Sequence, residues 1–207
     1  MSQDYFNAAA ADWDTPVRIE RAVRIAEVIL REVHLSPKAV VADYGSGTGL
    51  IAAALAPHVA RVVALDNAAN MLVVLAEKCR ASGITNIETR LCDIETEHFD
   101  APFCDVFVSS LVLHHLRSPE RYAAAAWQAL RPGGLVVLID LDLDDGDFHT
   151  GNDEVHHHGF ERAALAKVFT AAGFVCQSLK TALTIRKVGR AGVAREFTLF
   201  ILQARKD

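Results

Sequence analysis

The sequence has little of what several protein classes require. Its 207 residues include only four cysteines, none in Cys-x-x-Cys spacing, and no block of five or six basic residues. No apolar run approaches the roughly 20 residues that span a bilayer, and the N-terminus has no apolar leader core. With a formal charge of −5, nothing favours a nucleic-acid backbone as partner. We therefore expect free thiols and a soluble, cytoplasmic protein that forms a single domain over residues 1–207.

A glycine-rich loop follows the first buried apolar run. Residues 40–50 read V-V-A-D-Y-G-S-G-T-G-L, which predicts a strand, a tight loop and the start of a helix. Glycine leaves no side chain between the loop N–H groups and a ligand, and a helix N-terminus favours a negative ligand group. A dinucleotide template needs a third glycine where Leu50 stands. The loop thus predicts a nucleotide-like cofactor without identifying it.

Acidic residues end the next two predicted strands. Asp66 lies 21 residues after Gly45, about the distance at which a βαβ unit brings an acid to a ribose. Its alternative role is an N-cap for the helix beginning at Ala69. With Asp43 and Asp93, three carboxylates are expected along one edge of a parallel sheet, where open α/β folds bind ligands.

Further motifs extend the pattern to a family. Asp-x-Gly-x-Gly-x-Gly at 43–49, Leu-His-His-Leu at 113–116 and Leu-Arg-Pro-Gly-Gly at 130–134 resemble the motifs of class I S-adenosylmethionine-dependent methyltransferases of the small-molecule type. The resemblance implies an α/β, Rossmann-like doubly wound sheet of seven strands. The sheet should be mostly parallel with an antiparallel terminal strand and helices on both faces. S-adenosylmethionine would be the cofactor.

The resemblance also implies which residues contact that cofactor. The glycine loop would face the methionine moiety, Asp66 the ribose hydroxyls and Asp93 the adenine 6-amino group. The Ile94 N–H would donate to a ring nitrogen, and Ser109 would meet the methionine part. The predicted cofactor-binding set is Trp13, Asp43, Gly45, Ser46, Gly47, Asp66, Asn67, Met71, Asp93, Ile94 and Ser109.

Three members of that set either depart from the family pattern or have an alternative role. Asn67 stands where the family usually has an apolar residue against the adenine, and Met71 either supplies some of that surface or packs in the core. Trp13 belongs to a predicted helical cap, residues 1–35, that precedes a core of residues 36–207. It either docks on the body or touches the ligand. The cap's second helix should bury one stripe: Ile19, Ala22, Val23, Ala26, Ile29, Leu30 and Val33.

The reaction would be methyl transfer to an oxygen, nitrogen or carbon of a small metabolite. His114 follows the fourth strand and suits proton removal, although the histidine pair also occurs as a packing feature. No Asn-Pro-Pro-Tyr-like motif of amide or base methylation is present. The rival hypotheses are a non-catalytic cofactor-binding module and a nicotinamide oxidoreductase.

The segment 142–158 offers metal-like patterns that we do not interpret as metal sites. The acidic, glycine-containing segment 142–153 lacks the glutamate and entering helix of an EF-hand. It predicts a loop that shapes a substrate pocket. His156, His157 and His158 are consecutive, so their side chains would point apart and rarely share one ion. A solvated or substrate-contacting loop is the favoured interpretation, and no metal is predicted.

Overall fold

The computed structural model describes residues 3–149 and 155–207, which form six α-helices, three short 3₁₀ helices and seven strands within those ranges. The α-helices are α1 (Gln3–Ala9), α2 (Pro16–Glu32), α3 (Leu50–Leu55), α4 (Ala69–Ser82), α5 (Pro119–Ala129) and α6 (Arg162–Ala171). The strands are β1 (Val40–Tyr44), β2 (Arg61–Asp66), β3 (Ile87–Leu91), β4 (Cys104–Ser110), β5 (Leu130–Leu141), β6 (Val175–Val188) and β7 (Ala194–Arg205).

All seven strands join one sheet in the order β3-β2-β1-β4-β5-β7-β6. The pairs among β1 to β5 are parallel, whereas β7 runs antiparallel to both β5 and β6. The predicted fold class is therefore confirmed. Since β1 and β4 are neighbours while the chain crosses to β2 after β1, the strand order reverses beside β1. Ligands bind at such a switch point in open α/β sheets.

Alternation along the strands divides the core between the two faces. On β1, Val41 belongs to an apolar cluster with residues of α2, α3 and α4, while Ala42 and Tyr44 belong to one with residues of α5 and α6. Successive side chains of a strand point to opposite faces. Helices thus cover both faces, which leaves the carboxyl edge of the sheet open.

The cap helices dock through polar contacts as well as apolar ones. Asn70, at the start of α4, donates its backbone N–H and its side-chain amide to Asn7 of α1. Asp14 accepts from the Thr48 hydroxyl at 2.5 Å and from Lys78 Nζ at 2.6 Å. These bonds tie the segment before α2 to the glycine loop and to α4.

The predicted stripe of α2 is partly wrong. Ile19 and Val23 are 41% and 51% exposed, whereas Ile25 and Val28 are buried with Ala22, Ala26 and Ile29. The helix therefore turns a different face to the core than the apolar residues alone predict. Arg18 and Arg21 precede the first buried residue, Ala22, and Arg24 lies between Ala22 and Ile25.

All four cysteines are unpaired. Strand β5 begins at Leu130, so the Pro-Gly-Gly turn lies inside that strand, next to a register shift against β4. None of the described helices is long and apolar enough to cross a membrane.

Candidate cofactor and acceptor site

One large cavity of about 930 Å³ opens at the carboxyl edge of the sheet. Small-molecule sites usually enclose about 300–1,000 Å³. Its lining comes from the cap, α2, the glycine loop, the ends of β2, β3 and β4, the loop after β5, and β6. Nine residues of the predicted site line it: Trp13, Gly45, Ser46, Gly47, Asp66, Asn67, Met71, Asp93 and His114.

The glycines of the loop serve two different needs. Gly45 has φ +70°, and a Cβ there would lie 2.2 Å from Val112 Cγ2, so packing excludes a side chain. Gly47 has φ +54°, and a Cβ there would meet only the Trp13 indole nitrogen, at 3.9 Å. Gly47 thus leaves open space on the cavity side, where a ligand can approach the backbone closely.

Two buried polar atoms near this loop have no hydrogen-bond partner among the described residues. They are Ser46 Oγ and Asp43 Oδ2. Buried polar groups are normally satisfied, and an unsatisfied one needs an explanation such as a missing ligand or water. Asp43 does not line the cavity but is buried beneath the loop. Burial, and then the neighbouring Asp66 carboxylate, raise the pKa of Asp43 to about 7.

Asp66 lines the cavity and also holds the loop in place. Its Oδ2 accepts the Gly47 N–H at 2.7 Å, and its Oδ1 accepts the Ala68 N–H at 2.8 Å. Burial raises the pKa of Asp66, and these hydrogen bonds oppose the rise. The N-cap of α4 is Ala68, so Asp66 does not cap the first turn of the helix. Each carboxylate oxygen retains a second lone pair that can accept a ligand hydroxyl.

At the end of β3, Asp93 and Ile94 differ from each other. Asp93 lines the cavity, and its Oδ1 accepts the Glu95 N–H at 3.0 Å. Ile94 is buried outside the lining, and its N–H donates to the Tyr44 hydroxyl at 3.3 Å. The N–H assigned to an adenine nitrogen is therefore engaged within the protein.

Ser109 is fully buried on β4, and the next residue, Ser110, lines the cavity instead. Because side chains alternate along a strand, moving the assignment by one residue changes the face on which the hydroxyl lies. The serine that reaches the cavity is thus one position beyond the predicted one. Leu111 then adopts φ +56°, an uncommon backbone conformation for a side chain of this size.

The cap closes one side of the cavity with apolar side chains. Trp13 and Phe6 pack edge to face with ring centroids 5.2 Å apart, and both contact the cluster that contains the buried Met71. Met71 therefore packs beneath the cap and also lines the cavity. Asn67 lines the cavity, and its carbonyl accepts from Gln3 of α1.

His114 forms a buried pair with Asp140, the penultimate residue of β5. Its Nδ1 lies 2.6 Å from Asp140 Oδ1, and both side chains are at most 2% exposed. The carboxylate also accepts the backbone N–H groups of His114 and Leu141. An acceptor on Nδ1 favours the tautomer whose Nε2 can take a proton. Sequence reasoning missed Asp140, although an acid inside the apolar run of β5 was a signal.

Further histidines surround this pair. The His114 ring centroid lies 4.0 Å from that of His115 and 5.0 Å from that of His149. The N–H groups of His156 and His157 donate to the His114 carbonyl. Among the described residues, no group of three or more His, Cys, Asp or Glu side chains is arranged to hold a metal ion.

The acidic loop after β5 is held by arginines and contributes to the cavity. Arg162 forms a bidentate ion pair with Asp142, and Arg195 contacts both Asp145 and Asp147. Phe148 and His149 line the cavity, as the interpretation of this loop as a pocket wall predicts. Arg18, Arg21 and Lys187 also line it, and sequence reasoning missed all three.

Comparisons with known proteins agree with the motifs. Residues 42–138 match the family model described as a methyltransferase domain. The chain is 29% identical over 150 residues to an uncharacterized methyltransferase of Schizosaccharomyces pombe, covering 64% of this chain and 52% of that protein. It is 29% identical over 142 residues to a ubiquinone biosynthesis O-methyltransferase of Coxiella burnetii, covering 69% and 58%. The chain thus spans little more than half the length of these relatives.

A solved structure of similar fold is the DhpI–SAH complex, with a TM-score of 0.74 and 24% identity, covering 99% of this chain and 94% of that one. The match to the family model confirms the resemblance to methyltransferases, and the likeness to this structure shows a common fold.

Proposed function

We propose that this chain binds S-adenosylmethionine in the cavity at the sheet edge and transfers its methyl group to a small molecule. The observation that carries the proposal is the convergence of the open Gly47 backbone, Asp66 and Asp93 on one cavity. These groups come from the ends of three adjacent parallel strands. A long ligand lying along the edge would meet them in sequence.

The residues present fit this cofactor. Asp66 and Asp93 supply acceptors for the ribose hydroxyls and the adenine amino group, and the loop around Gly47 has room for the amino-acid moiety. The unpartnered Ser46 hydroxyl belongs to a residue of the cavity lining, where such a moiety would supply hydrogen-bonding groups, whereas the Asp43 carboxylate is buried beneath the loop. Trp13 and Met71 offer apolar surface from the cap side.

His114 is proposed as the general base. The cofactor, when bound, supplies a methyl group already activated on a sulfonium. The protein then has to align the acceptor, exclude water and remove a proton. His114 Nε2 would take the proton that the acceptor loses when it is methylated. Asp140 holds the ring and stabilises the imidazolium that results.

Oxygen is the acceptor atom to test first. The Coxiella relative is by its name an O-methyltransferase, and an imidazole nitrogen can accept a hydroxyl proton. Nitrogen and carbon acceptors remain within the proposal.

Calorimetric titration with S-adenosylmethionine, S-adenosylhomocysteine and NAD tests the cofactor. We expect the first two to bind and NAD not to bind. Asp66→Ala should weaken S-adenosylhomocysteine binding by about 100-fold, since it removes charged hydrogen bonds to the ribose and frees the loop. Asp100→Ala, which removes an exposed carboxylate outside the cavity, is the matched control.

NAD binding without sulfonium binding would overturn the proposal in favour of an oxidoreductase. A methyl-transfer screen against metabolite pools addresses the second rival. Product formation in wild type and its loss in Asp66→Ala support an enzyme, whereas tight cofactor binding with no product across the screen favours a non-catalytic module.

A further inference from the structure

One face of α2 contributes cationic side chains to the cavity wall. Arg18, Arg21, Ala22 and Ile25 all line it, and their spacing of three, four and seven residues places them on a single helical face. The last two belong to the apolar core, so the face joins a buried base to two guanidinium groups.

The two arginines differ in what they bind. Arg18 donates to the Trp13 carbonyl at 3.1 Å and stacks on the Trp13 ring at 3.9 Å. Arg21 is partly buried and makes no hydrogen bond or ion pair with any residue that the structure describes. Burial and the charge of Arg18 lower the pKa of Arg21. A buried cation without a partner is costly, and like charges three residues apart on a helix add to that cost.

The carboxylates of the described cavity lining form hydrogen bonds with residues other than Arg21. Asp66 holds the glycine loop, Asp93 accepts from Glu95, and Glu95 accepts the Arg117 N–H at 2.8 Å. Asp66 is the last residue of β2, and Asp93 and Glu95 follow β3. No acid of the described lining forms an ion pair with Arg21, so the part of the cavity wall that the structure describes does not neutralise this guanidinium.

The residues next to Arg21 on α2 contact β6 and pack in one cluster with the loop after β5. Phe148 shares the apolar cluster of Ala22 and Ile25. Lys187 on β6 donates to the Phe148 carbonyl and lies 4.3 Å from its ring centroid. One turn beyond Arg21, Arg24 donates to the Thr184 carbonyl of β6 at 2.9 Å. Arg21 therefore lies between the glycine loop and β6.

We propose that the methyl acceptor carries an anionic group, a carboxylate or phosphate, which pairs with Arg21 in the cavity. This inference rests on the proposed function and names the substrate class of the same site. Lys187 adds positive charge on the facing wall, and Phe148 offers an apolar surface for the rest of the acceptor.

The cofactor's own carboxylate is the other possible source of an anion. Arg18 is placed closer to it, because Arg18 stacks on Trp13 and the Trp13 indole lies beside Gly47. Arg21 is nearly one turn further along α2, towards β6. The assignment of Arg21 to the acceptor follows from this order along the helix.

Paired probes test the inference. Hydroxybenzoates and aliphatic hydroxy acids, each matched with its primary amide, are titrated into the protein with and without saturating S-adenosylhomocysteine. We expect acids to bind wild type about 10- to 100-fold more tightly than their amides, as for a charge-assisted hydrogen bond. Arg21→Gln should abolish the preference. Arg31→Gln, which removes an exposed charge from the same helix, should retain it.

Each outcome decides the inference. Equal binding of acids and amides, no acid binding at all, or an acid preference that survives Arg21→Gln would overturn it. So would a variant whose only defect is weaker S-adenosylhomocysteine binding, since Arg21 would then serve the cofactor. Failure of wild type to bind S-adenosylhomocysteine refutes the proposed function separately, and an acid preference lost in Arg21→Gln still supports an anion site.

Discussion

The two sides of the cavity are built from different kinds of chain segment. The side proposed for the cofactor uses the ends of β1, β2 and β3: β1 and β2 are short buried strands, β3 is an exposed edge strand, and each has a polar residue at or just after its end. The side proposed for the acceptor combines α2, the ends of β4 and β5, the loop after β5, and β6, which are far apart in sequence. Binding groups of the first side are local signals. Those of the second side become neighbours only when the sheet and the cap have formed.

The sharpest test of this division separates rate from cofactor affinity. His114→Gln removes the proposed base while keeping a side chain of similar length, so the rate of methyl transfer should fall about 10²- to 10⁴-fold. Affinity for S-adenosylhomocysteine should stay close to wild type, because His114 belongs to the acceptor side. Asp140→Asn should lower the rate less, since it leaves the imidazole but loses its charged partner. Single-turnover kinetics and calorimetry measure the two effects.

His58→Gln is the matched control, because His58 is exposed and lies outside the cavity. If His114→Gln retained the wild-type rate, the histidine would be a packing feature and the base would have to be sought elsewhere. A large loss of cofactor affinity in the same variant would contradict the division of the cavity.

Two glycines of the loop can be compared with Gly83, which follows α4, by substituting each with alanine. Gly83, at the end of α4, has φ +67°, and a Cβ there would meet nothing within 4 Å. Gly83→Ala should therefore cost about 1–2 kcal/mol of unfolding free energy from backbone strain alone. Gly45→Ala adds a clash with Val112 and should cost about 2–4 kcal/mol. Gly47→Ala should match Gly83→Ala in stability but weaken S-adenosylhomocysteine binding at least about tenfold. Urea unfolding and calorimetry measure both.

Gly83→Ala also serves as the control for the backbone strain of the other two. If Gly47→Ala bound the cofactor like wild type, the loop would not approach the ligand closely, and the proposed cofactor side would be wrong.

The sequence could predict most of the fold because the fold depends on local patterns. Buried runs ending in Asp43 and Asp66 define parallel strands, and the glycines of the loop mark the first turn. Local patterns do not predict as well which of two neighbouring residues of a strand reaches the cavity. Ser109 was assigned where Ser110 reaches the cavity, since a one-residue change in register reverses the face of a strand.

The acceptor side escaped sequence reasoning for a physical reason. Arg21 is unremarkable among the arginines of α2 until the rotation of the helix is known, and exposed Ile19 and Val23 make that rotation hard to infer from hydrophobicity. The partner of His114 lies 26 residues away on β5. Such pairs depend on tertiary contacts that no local pattern records.

On the cofactor side, the Asp43 carboxyl group should remain protonated in the folded, ligand-free protein at pH values where it is ionised in the unfolded chain. The pKa of Asp43 in the folded protein is about 7, against an ordinary value of 3.8. Between about pH 4 and pH 7 the folded state therefore keeps a proton that the unfolded chain has released. Stability from this group is fully present below the ordinary pKa and is lost as pH rises through 7.

Asp43→Asn removes this titration and keeps the shape of the side chain. From pH 5 to pH 8, the unfolding free energy of ligand-free wild type should fall by about 2–3 kcal/mol relative to the variant. Denaturant titrations at each pH measure the difference, and Asp100→Asn should follow wild type because its carboxylate is exposed. Parallel profiles for Asp43→Asn and wild type would mean that Asp43 is ionised in the folded state. Its unpartnered oxygen would then require a permanent partner, and the contrast between the two sides would rest on their different origins in the chain alone.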